Sequence, residues 1–209
     1  MEKFQKFIEK AKKIYDGDQT GHAFDHIERV LGYCLEIAKE EKADQDVVVI
    51  SALFHDVHRI MSSMQGKYVF PHESVEEVEK ILADFDIDKS KLEKILYVIK
   101  EHERKRLEKS MPIELQIVQD GDILDSLGEV GLSRTLTYCR KNNIPVVDKN
   151  YSLDCKEYIP DVNPISTCHY IYRTMIPNAN KLHTRKGKEI GAGLTKVLEN
   201  FVNSQYGEN

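Results

Sequence analysis

The chain has 209 residues, of which 41% are hydrophobic and 31% are charged, a balance typical of globular proteins and unlike that of disordered ones. Thirty Lys and Arg residues against 35 Asp and Glu residues give a formal net charge of -5. The chain therefore has no overall positive charge that would attract nucleic acid or an anionic membrane. The longest apolar run, residues 47–54, is much shorter than the ~20 residues that span a membrane. The N-terminal stretch lacks the apolar core of a signal peptide, and the four cysteines show no metal-type spacing, so we expect a cytoplasmic protein.

Apolar residues recur at helical spacing along most of the chain. The predicted helices, in chain order, cover residues 4–11, 24–38, 47–54, 75–82, 92–99, 113–127 and 188–203. Residues 142–163 contain Pro145 and Pro160 without a clear period, which predicts a long loop. The pattern predicts an all-α fold, a helical bundle in a single domain over residues 1–209, with its core at about 16–184 and a C-terminal helix at about 188–203.

Histidines are placed unusually in this chain. Five of the eight fall at predicted helix ends or on apolar stripes: His22, His26, His55, His72 and His102. His22, His26 and Arg29 are spaced to share one helical face. The doublet His55-Asp56 ends an apolar helix, where burial without partners would cost several kcal/mol. Each histidine alone is more often an ordinary core or surface residue than a ligand, and we expect His58 and His183 to be surface residues.

Further carboxylates follow an apolar stretch, at Asp120, Asp122 and Asp125. A His on one helix, a His-Asp doublet on a second and an Asp on a third together resemble the HD-domain metal-dependent phosphohydrolases, especially the small stand-alone bacterial ones. The strings that carry the resemblance are DHIERV at 25–30, ALFHDV at 52–57, HESV at 72–75, IKEHE at 99–103 and QDGDILDSLG at 119–128. The chain departs from the family at Gly121, usually Ala, a change expected to matter little. It also lacks the usual Arg-His pair in the C-terminal helix.

The resemblance implies a divalent metal site. Its implied ligands are His26, His55, Asp56 and Asp122. Imidazole and carboxylate ligands suit Mn, Fe, Co, Ni or Mg, with zinc as a further alternative. The implied catalytic residues are Arg29, His72, His102 and Asp125. His72 or His102 would assist the leaving oxygen, contact the substrate or hold a second ion, and a single ion is the preferred interpretation.

Residues 162–188 contain no Asp or Glu, although they carry five cations. Such a stretch is usually a solvated basic face, and the competing interpretation is a rim that collects phosphates. Under the second interpretation, the candidate substrate-binding residues are Arg29, Arg173, Lys181, Arg185 and Lys186.

The function implied by the resemblance is hydrolysis of a nucleotide phosphoanhydride by a metal-activated water, as in a nucleoside triphosphate pyrophosphohydrolase. The expected partner is a small phosphorylated molecule, since the sequence shows no nucleic-acid-binding motif and no membrane span. One alternative is a di-iron oxygenase of the HD superfamily, for which the four-His, two-Asp inventory comprises His26, His55, Asp56, His72, His102 and Asp122. The other is a catalytically silent nucleotide-binding regulatory module.

Overall fold

The computed structural model describes residues 2–18, 21–104, 110–160 and 162–207. Within these ranges the fold is all-α, as predicted, and the β pairing consists of an isolated bridge between Ile159 and Asn163. The α-helices are α1 (Gln5–Tyr15), α2 (Phe24–Ala38), α3 (Gln45–Phe54), α4 (Val57–Gln65), α5 (Val75–Leu82), α6 (Lys89–Glu101), α7 (Ile113–Asp125), α8 (Gly128–Lys141), α9 (Thr167–Tyr170), α10 (Ile176–Asn178) and α11 (Arg185–Tyr206).

The chain divides within α7 into two compact units, Met1–Asp122 and Ile123–Asn209. In the first unit, α3 is the central helix and packs against α2 and α6. Every residue from Val47 to Phe54 is buried, so the apolar run is a core helix, as predicted, although its β-branched residues also suit a strand. Asp44 begins α3 by accepting a hydrogen bond from the Asp46 N–H.

In the second unit, α8 packs against α11. Gly128 begins α8 at a φ of +63°, and a Cβ there would lie 2.7 Å from Leu194 Cδ2, so both the backbone and the packing favour glycine. Residues 142–163 contain no helix, in agreement with the predicted loop, among the residues described there. The unpredicted segment 167–181 forms consecutive helical turns, including a π-helical turn at Ile171–Met175.

The C-terminal helix extends beyond its predicted bounds of about 188–203 at both ends. Thr184 begins α11 by accepting the Gly187 N–H at 2.9 Å. Across the described ranges, no helix combines the length and the apolar character that crossing a bilayer requires.

Candidate metal centre

The first unit brings a group of titratable side chains from separate helices into its core. His26 comes from α2, His55 and Asp56 from the junction between α3 and α4, and His102 from the residue after α6. These four residues are buried, with at most 4% of each exposed. Asp122, on α7, is partly buried at the edge of the group. The arrangement places four of these five polar side chains where water has little access.

Asp56 is the centre of the group because its two carboxylate oxygens face different imidazoles. Oδ2 lies 3.3 Å from His26 Nε2 and 3.5 Å from His55 Nε2. His26 Nε2 also lies 3.9 Å from Asp122 Oδ1, which connects α7 to the group. The structure thus brings together the four residues that the sequence suggested as metal ligands.

The other oxygen of Asp56, Oδ1, faces a second pair of imidazoles. It lies 3.8 Å from His58 Nδ1 and 3.8 Å from His102 Nε2. Two groups of three residues, each with ligand atoms within 4.8 Å of one another, are therefore present: His26, His55 and Asp56, and Asp56, His58 and His102. Asp56 is common to both groups.

Backbone carbonyls orient two of the rings. His55 Nδ1 lies 2.9 Å from the carbonyl oxygen of Ala52, and His102 Nδ1 lies 2.6 Å from that of Ile99. A carbonyl can only accept, so Nδ1–H donates and the lone pair of each neutral ring is on Nε2, the nitrogen that faces Asp56. Both rings therefore present a ligand atom to the Asp56 carboxylate, His55 to Oδ2 and His102 to Oδ1.

The protonation tendencies of the group match those of metal ligands. Burial, more than the neighbouring charges, lowers the pKa of His55 to about 4, so its ring is neutral near neutral pH. Burial raises the pKa of the Asp56 carboxyl, but the surrounding imidazoles, His55 foremost, lower it by more, and the net pKa is well below the usual value. A neutral imidazole beside an ionised carboxylate is the state in which both residues bind a cation.

Three buried atoms of the group have no hydrogen-bond partner among the described residues: His55 Nε2, Asp56 Oδ2 and His102 Nε2. Buried polar atoms are normally satisfied, and an unpartnered acceptor costs about 1–3 kcal/mol. A divalent cation would satisfy His55 Nε2 and Asp56 Oδ2, which belong to one ligand group with His26, and the mixture of nitrogen and oxygen donors suits Mn, Fe, Co, Ni or Mg. The residues present fit a divalent metal ion.

The structure places His22 and Arg29 differently from the helical-face prediction. α2 begins at Phe24, so His22 precedes the helix and the prediction of one shared face is wrong. The His22 N–H donates to Asp18, and its Nε2 still lies 3.9 Å from Asp56 Oδ2. Arg29 does lie on α2, where its guanidinium donates to Asp25 at 2.7 Å and lowers the pKa of that carboxyl.

His72 lies apart from the two ligand groups. It is an exposed residue of the 3₁₀ turn Pro71–Ser74, and its ring stacks on Phe70 with a centroid separation of 5.6 Å. Among the described residues, it belongs to neither group.

His58 was expected on the surface, and this prediction is wrong because the residue is fully buried. Its Nδ1 lies 3.3 Å from the His55 carbonyl oxygen and its Nε2 lies 3.2 Å from Glu103 Oε1.

Glu103, the residue after His102, accepts from three side chains: His58, Arg59 and Tyr68. Burial raises the pKa of Glu103, but the hydrogen bonds from His58 and Tyr68 and the charge of Arg59 outweigh it, so the net pKa is about 2. Gln119 supports the same turn by donating to the carbonyls of Glu101 at 3.1 Å and Arg104 at 3.0 Å. Sequence reasoning missed both Glu103 and Gln119.

Gly121 fits against α2 at the edge of the group. A Cβ there would lie 2.6 Å from Cys34 Sγ and 3.1 Å from the Val30 carbonyl oxygen, so alanine cannot be accommodated without a shift. The expectation that the change from Ala to Gly matters little is therefore wrong for packing. Cys34 is a buried thiol whose pKa is raised by burial, and it fills the space that an alanine methyl would need.

The remaining candidates lie in the second unit and have local partners. Asp125 is buried and accepts from Arg134 at 2.8 Å. Arg173 donates to the carbonyl of Cys155 at 3.1 Å, and Lys181 to Asn178 at 2.7 Å. Arg185 and Lys186 both pair with Glu189, at 3.5 and 3.2 Å.

Sequence comparison with known proteins agrees with the resemblance to the HD domain family. The profile of the HD domain family matches residues 23–127. The chain is 30% identical over 131 residues to the Bacillus subtilis (strain 168) protein YpgQ, an alignment that covers 61% of this chain and 62% of YpgQ, less than two thirds of its length.

Solved structures show the same fold. An HD-superfamily hydrolase from Bacillus thuringiensis matches with a TM-score of 0.77 at 22% identity, over 99% of this chain and 96% of that one. Bacillus subtilis YpgQ in complex with ADP matches with a TM-score of 0.76 at 19% identity, over 100% and 95% of the two chains. The region matched by the family profile contains the four segments that place His26, His55-Asp56, His102 and Asp122 in one buried group, and the chain belongs to the HD domain family.

Proposed function

We propose that this protein is a metal-dependent phosphohydrolase that acts on a nucleotide phosphoanhydride. The observation that carries the proposal is the buried Asp56 carboxylate, whose Oδ2 and two neighbouring imidazole nitrogens point inward without hydrogen-bond partners among the described residues. Membership of the HD family supports hydrolysis, and the ADP complex of the similar YpgQ fold supports a nucleotide as substrate.

In this proposal His26, His55, Asp56 and Asp122 hold one divalent cation. When bound, such a cation polarises a phosphoryl oxygen and makes a coordinated water acidic enough to attack at neutral pH. The chain contributes a neutral His55, oriented by Ala52, and an ionised Asp56 whose negative charge retains the cation. The buried surroundings strengthen each of these charge interactions, because water screens them poorly there.

Arg29 and His102 have separate tasks. Arg29 would neutralise charge on the transferring phosphoryl group, with Asp25 holding its guanidinium in place until substrate binds. His102 Nε2, which carries the lone pair of the neutral ring, would take up the proton that the attacking water loses and pass it to the leaving oxygen. His102 is the better candidate than His72 because its Nε2 lies in the buried group, whereas His72 is exposed. Asp125 stays a predicted catalytic residue.

The contacts of His58 favour a single ion. His58 Nε2 pairs with Glu103, and Nδ1 lies closer to the His55 carbonyl oxygen, at 3.3 Å, than to Asp56 Oδ1, at 3.8 Å, which favours a hydrogen-bonding role for His58 over metal ligation. The second ligand group is the one observation that favours the di-iron oxygenase, because a two-ion site would need it. Iron near two per chain together with oxygen consumption would establish that alternative.

A screen of nucleoside triphosphates with Mn, Co, Ni, Fe or Mg, with products separated by chromatography, tests the proposal. We expect nucleoside monophosphate and pyrophosphate, from cleavage between the α and β phosphates. Nucleoside diphosphate and orthophosphate as the first products would overturn the assignment of the bond. Nucleotide binding without turnover with any of these metals would identify a silent regulatory module instead. Asp56→Asn provides the inactive control.

A further inference from the structure

We propose that Glu103 and His58 are positioning residues that hold the Asp56 carboxylate in its metal-binding orientation. We call Glu103, His58 and Arg59 the brace. The proposal rests on one part of the proposed function, namely that an ion binds between His26, His55 and Asp56. It concerns a residue pair outside the ligand set that the family resemblance implied.

The two oxygens of Asp56 have distinct surroundings. Oδ2 faces the ligand atoms of His26 and His55, at 3.3 and 3.5 Å. Oδ1 faces His58 Nδ1 and His102 Nε2, each at 3.8 Å, and Arg59 Nε at 4.0 Å. These contacts are longer than hydrogen bonds, so His58 limits the rotation of the carboxylate by packing against it, and the positive charge of Arg59 attracts Oδ1. Both effects favour the rotation that leaves Oδ2 directed at His26 and His55.

Glu103 holds both His58 and Arg59 in place. Its Oε1 accepts from His58 Nε2 at 3.2 Å and also from the Arg59 guanidinium. His58 is fully buried, so its ring cannot reorient without opening the core. A carboxylate on the far side of an imidazole fixes the direction in which that imidazole points, as outer partners do around metal sites.

The exposed side of the brace is also fixed. Tyr68 donates its hydroxyl to Glu103 Oε2 at 2.6 Å, and the Arg59 guanidinium carbon lies 5.3 Å from the centre of the Tyr68 ring. The segment with Tyr68 is attached to α4, because the Val69 N–H donates to Ser62 Oγ, which itself donates to the His58 carbonyl. Both Glu103 oxygens are therefore occupied by donors of defined position.

The test measures Mn²⁺ affinity by titration calorimetry without substrate, in the full chain. Glu103→Gln keeps the size of the side chain but introduces a donor opposite His58 and Arg59. We expect Mn²⁺ to bind roughly 10- to 100-fold more weakly, the usual effect of losing an outer partner of a metal ligand. Glu101→Gln is the matched control: this glutamate is on the same turn, its side chain is 15% exposed against 24% for Glu103, and it pairs with Arg104. Its affinity should equal that of the wild type.

Wild-type Mn²⁺ affinity in a folded Glu103→Gln protein would overturn the proposal, as would two Mn²⁺ ions per wild-type chain, since His58 would then be a ligand. If circular dichroism shows that Glu103→Gln does not fold, the Mn²⁺ affinity of Tyr68→Phe tests the proposal instead. This variant removes only the hydroxyl that donates to Glu103, from a half-exposed ring, so we expect it to fold. We expect a loss of roughly threefold in affinity, and an unchanged affinity would contradict the brace. A lack of turnover with every nucleotide would sink the proposed function but leave this result intact.

Discussion

At the scale of single residues, Asp56 contacts side chains inside and outside the proposed ligand set. Its position at the junction of α3 and α4 exposes one carboxylate oxygen to His26 and His55 and the other to His58 and His102. The burial of these residues makes each contact strong, and it makes each missing partner costly. Substitutions around Asp56 should therefore affect metal affinity in proportion to the contact removed.

Gly121 provides a test of packing beside the centre. Gly121→Ala should lower the free energy of unfolding by about 1–3 kcal/mol, because the new methyl group would overlap Cys34 Sγ. Cys34→Ala in the same chain should restore part of the loss by making room for it. Denaturant unfolding of the two single variants and the double variant measures the coupling. Strictly additive effects would show that the two side chains do not compete for space.

Arg29 provides a test of charge neutralisation. Arg29→Gln should lower kcat roughly 10²-fold with a smaller change in KM, because the guanidinium would meet charge that develops in the transition state. Asp25→Asn is the control, since it removes only the partner that holds Arg29 in the free protein. Steady-state kinetics with the nucleotide that is hydrolysed most efficiently separates the effect on kcat from the effect on KM. A rise in KM alone would mean that Arg29 only captures substrate.

The proposed ligand residues could be suggested from the sequence because they lie in short strings that resemble those of the HD domain family. His58 could not, because its burial depends on α4 turning its first residues inward and on Glu103 arriving from the end of α6. Such contacts join residues 45 positions apart, and helical periodicity carries no information on them. The prediction that His22 shares a helical face with His26 was wrong for a local reason, because α2 begins two residues after His22.

At the scale of elements, most of the long periodic helices were predicted, but the 14-residue α8 and the shorter α4 were not, and neither was the irregular segment 167–181. α3 was recognisable because a continuous apolar run bounded by polar residues suits a buried helix, and the structure confirms it. The segment 167–181 was missed because it changes from α- to π- to 3₁₀-type turns within fifteen residues, so no single period develops. Its local hydrogen bonds, such as Ser166 accepting the His169 N–H at 3.3 Å, determine its shape.

The cationic stretch is an element whose role stays a prediction. Arg173 has a structural task, because it donates to backbone carbonyls of residues 153 and 155, so Lys181 and Arg185 are the cleaner probes. If they gather phosphates, Lys181→Gln with Arg185→Gln should lower kcat/KM at low salt with little change in kcat. The effect should fade at high salt, because exposed charges are screened over a Debye length of about 8 Å at physiological ionic strength.

Lys6→Gln with Lys13→Gln provides the control for that experiment, because these exposed residues of α1 give the same change in net charge. Equal effects of the two pairs would mean that only net charge matters. Unchanged kinetics in the Lys181 and Arg185 pair would identify the stretch as a solvated face.

At the scale of the whole molecule, the first unit, Met1–Asp122, contains all four proposed metal ligands. A ligand that binds the folded state alone stabilises it by mass action, by about 2.7 kcal/mol at a free concentration of 100 times Kd. For a chain of this size, Mn²⁺ at that level should raise Tm by about 5–10 °C relative to protein treated with a chelator. Asp56→Asn should remove the shift, and an equal shift in both proteins would mean that the ion binds elsewhere.

The most direct test is the metal content of Asp56→Ala, purified as the wild type is and measured by elemental analysis alongside nucleotide turnover. Asp56 is the residue shared by both groups of ligand atoms, so its loss removes the charge and the central oxygen of the site. We predict a folded protein, by circular dichroism, that has lost its divalent metal and its turnover. A folded Asp56→Ala protein that retains full metal occupancy would contradict the assignment of this group as the metal centre.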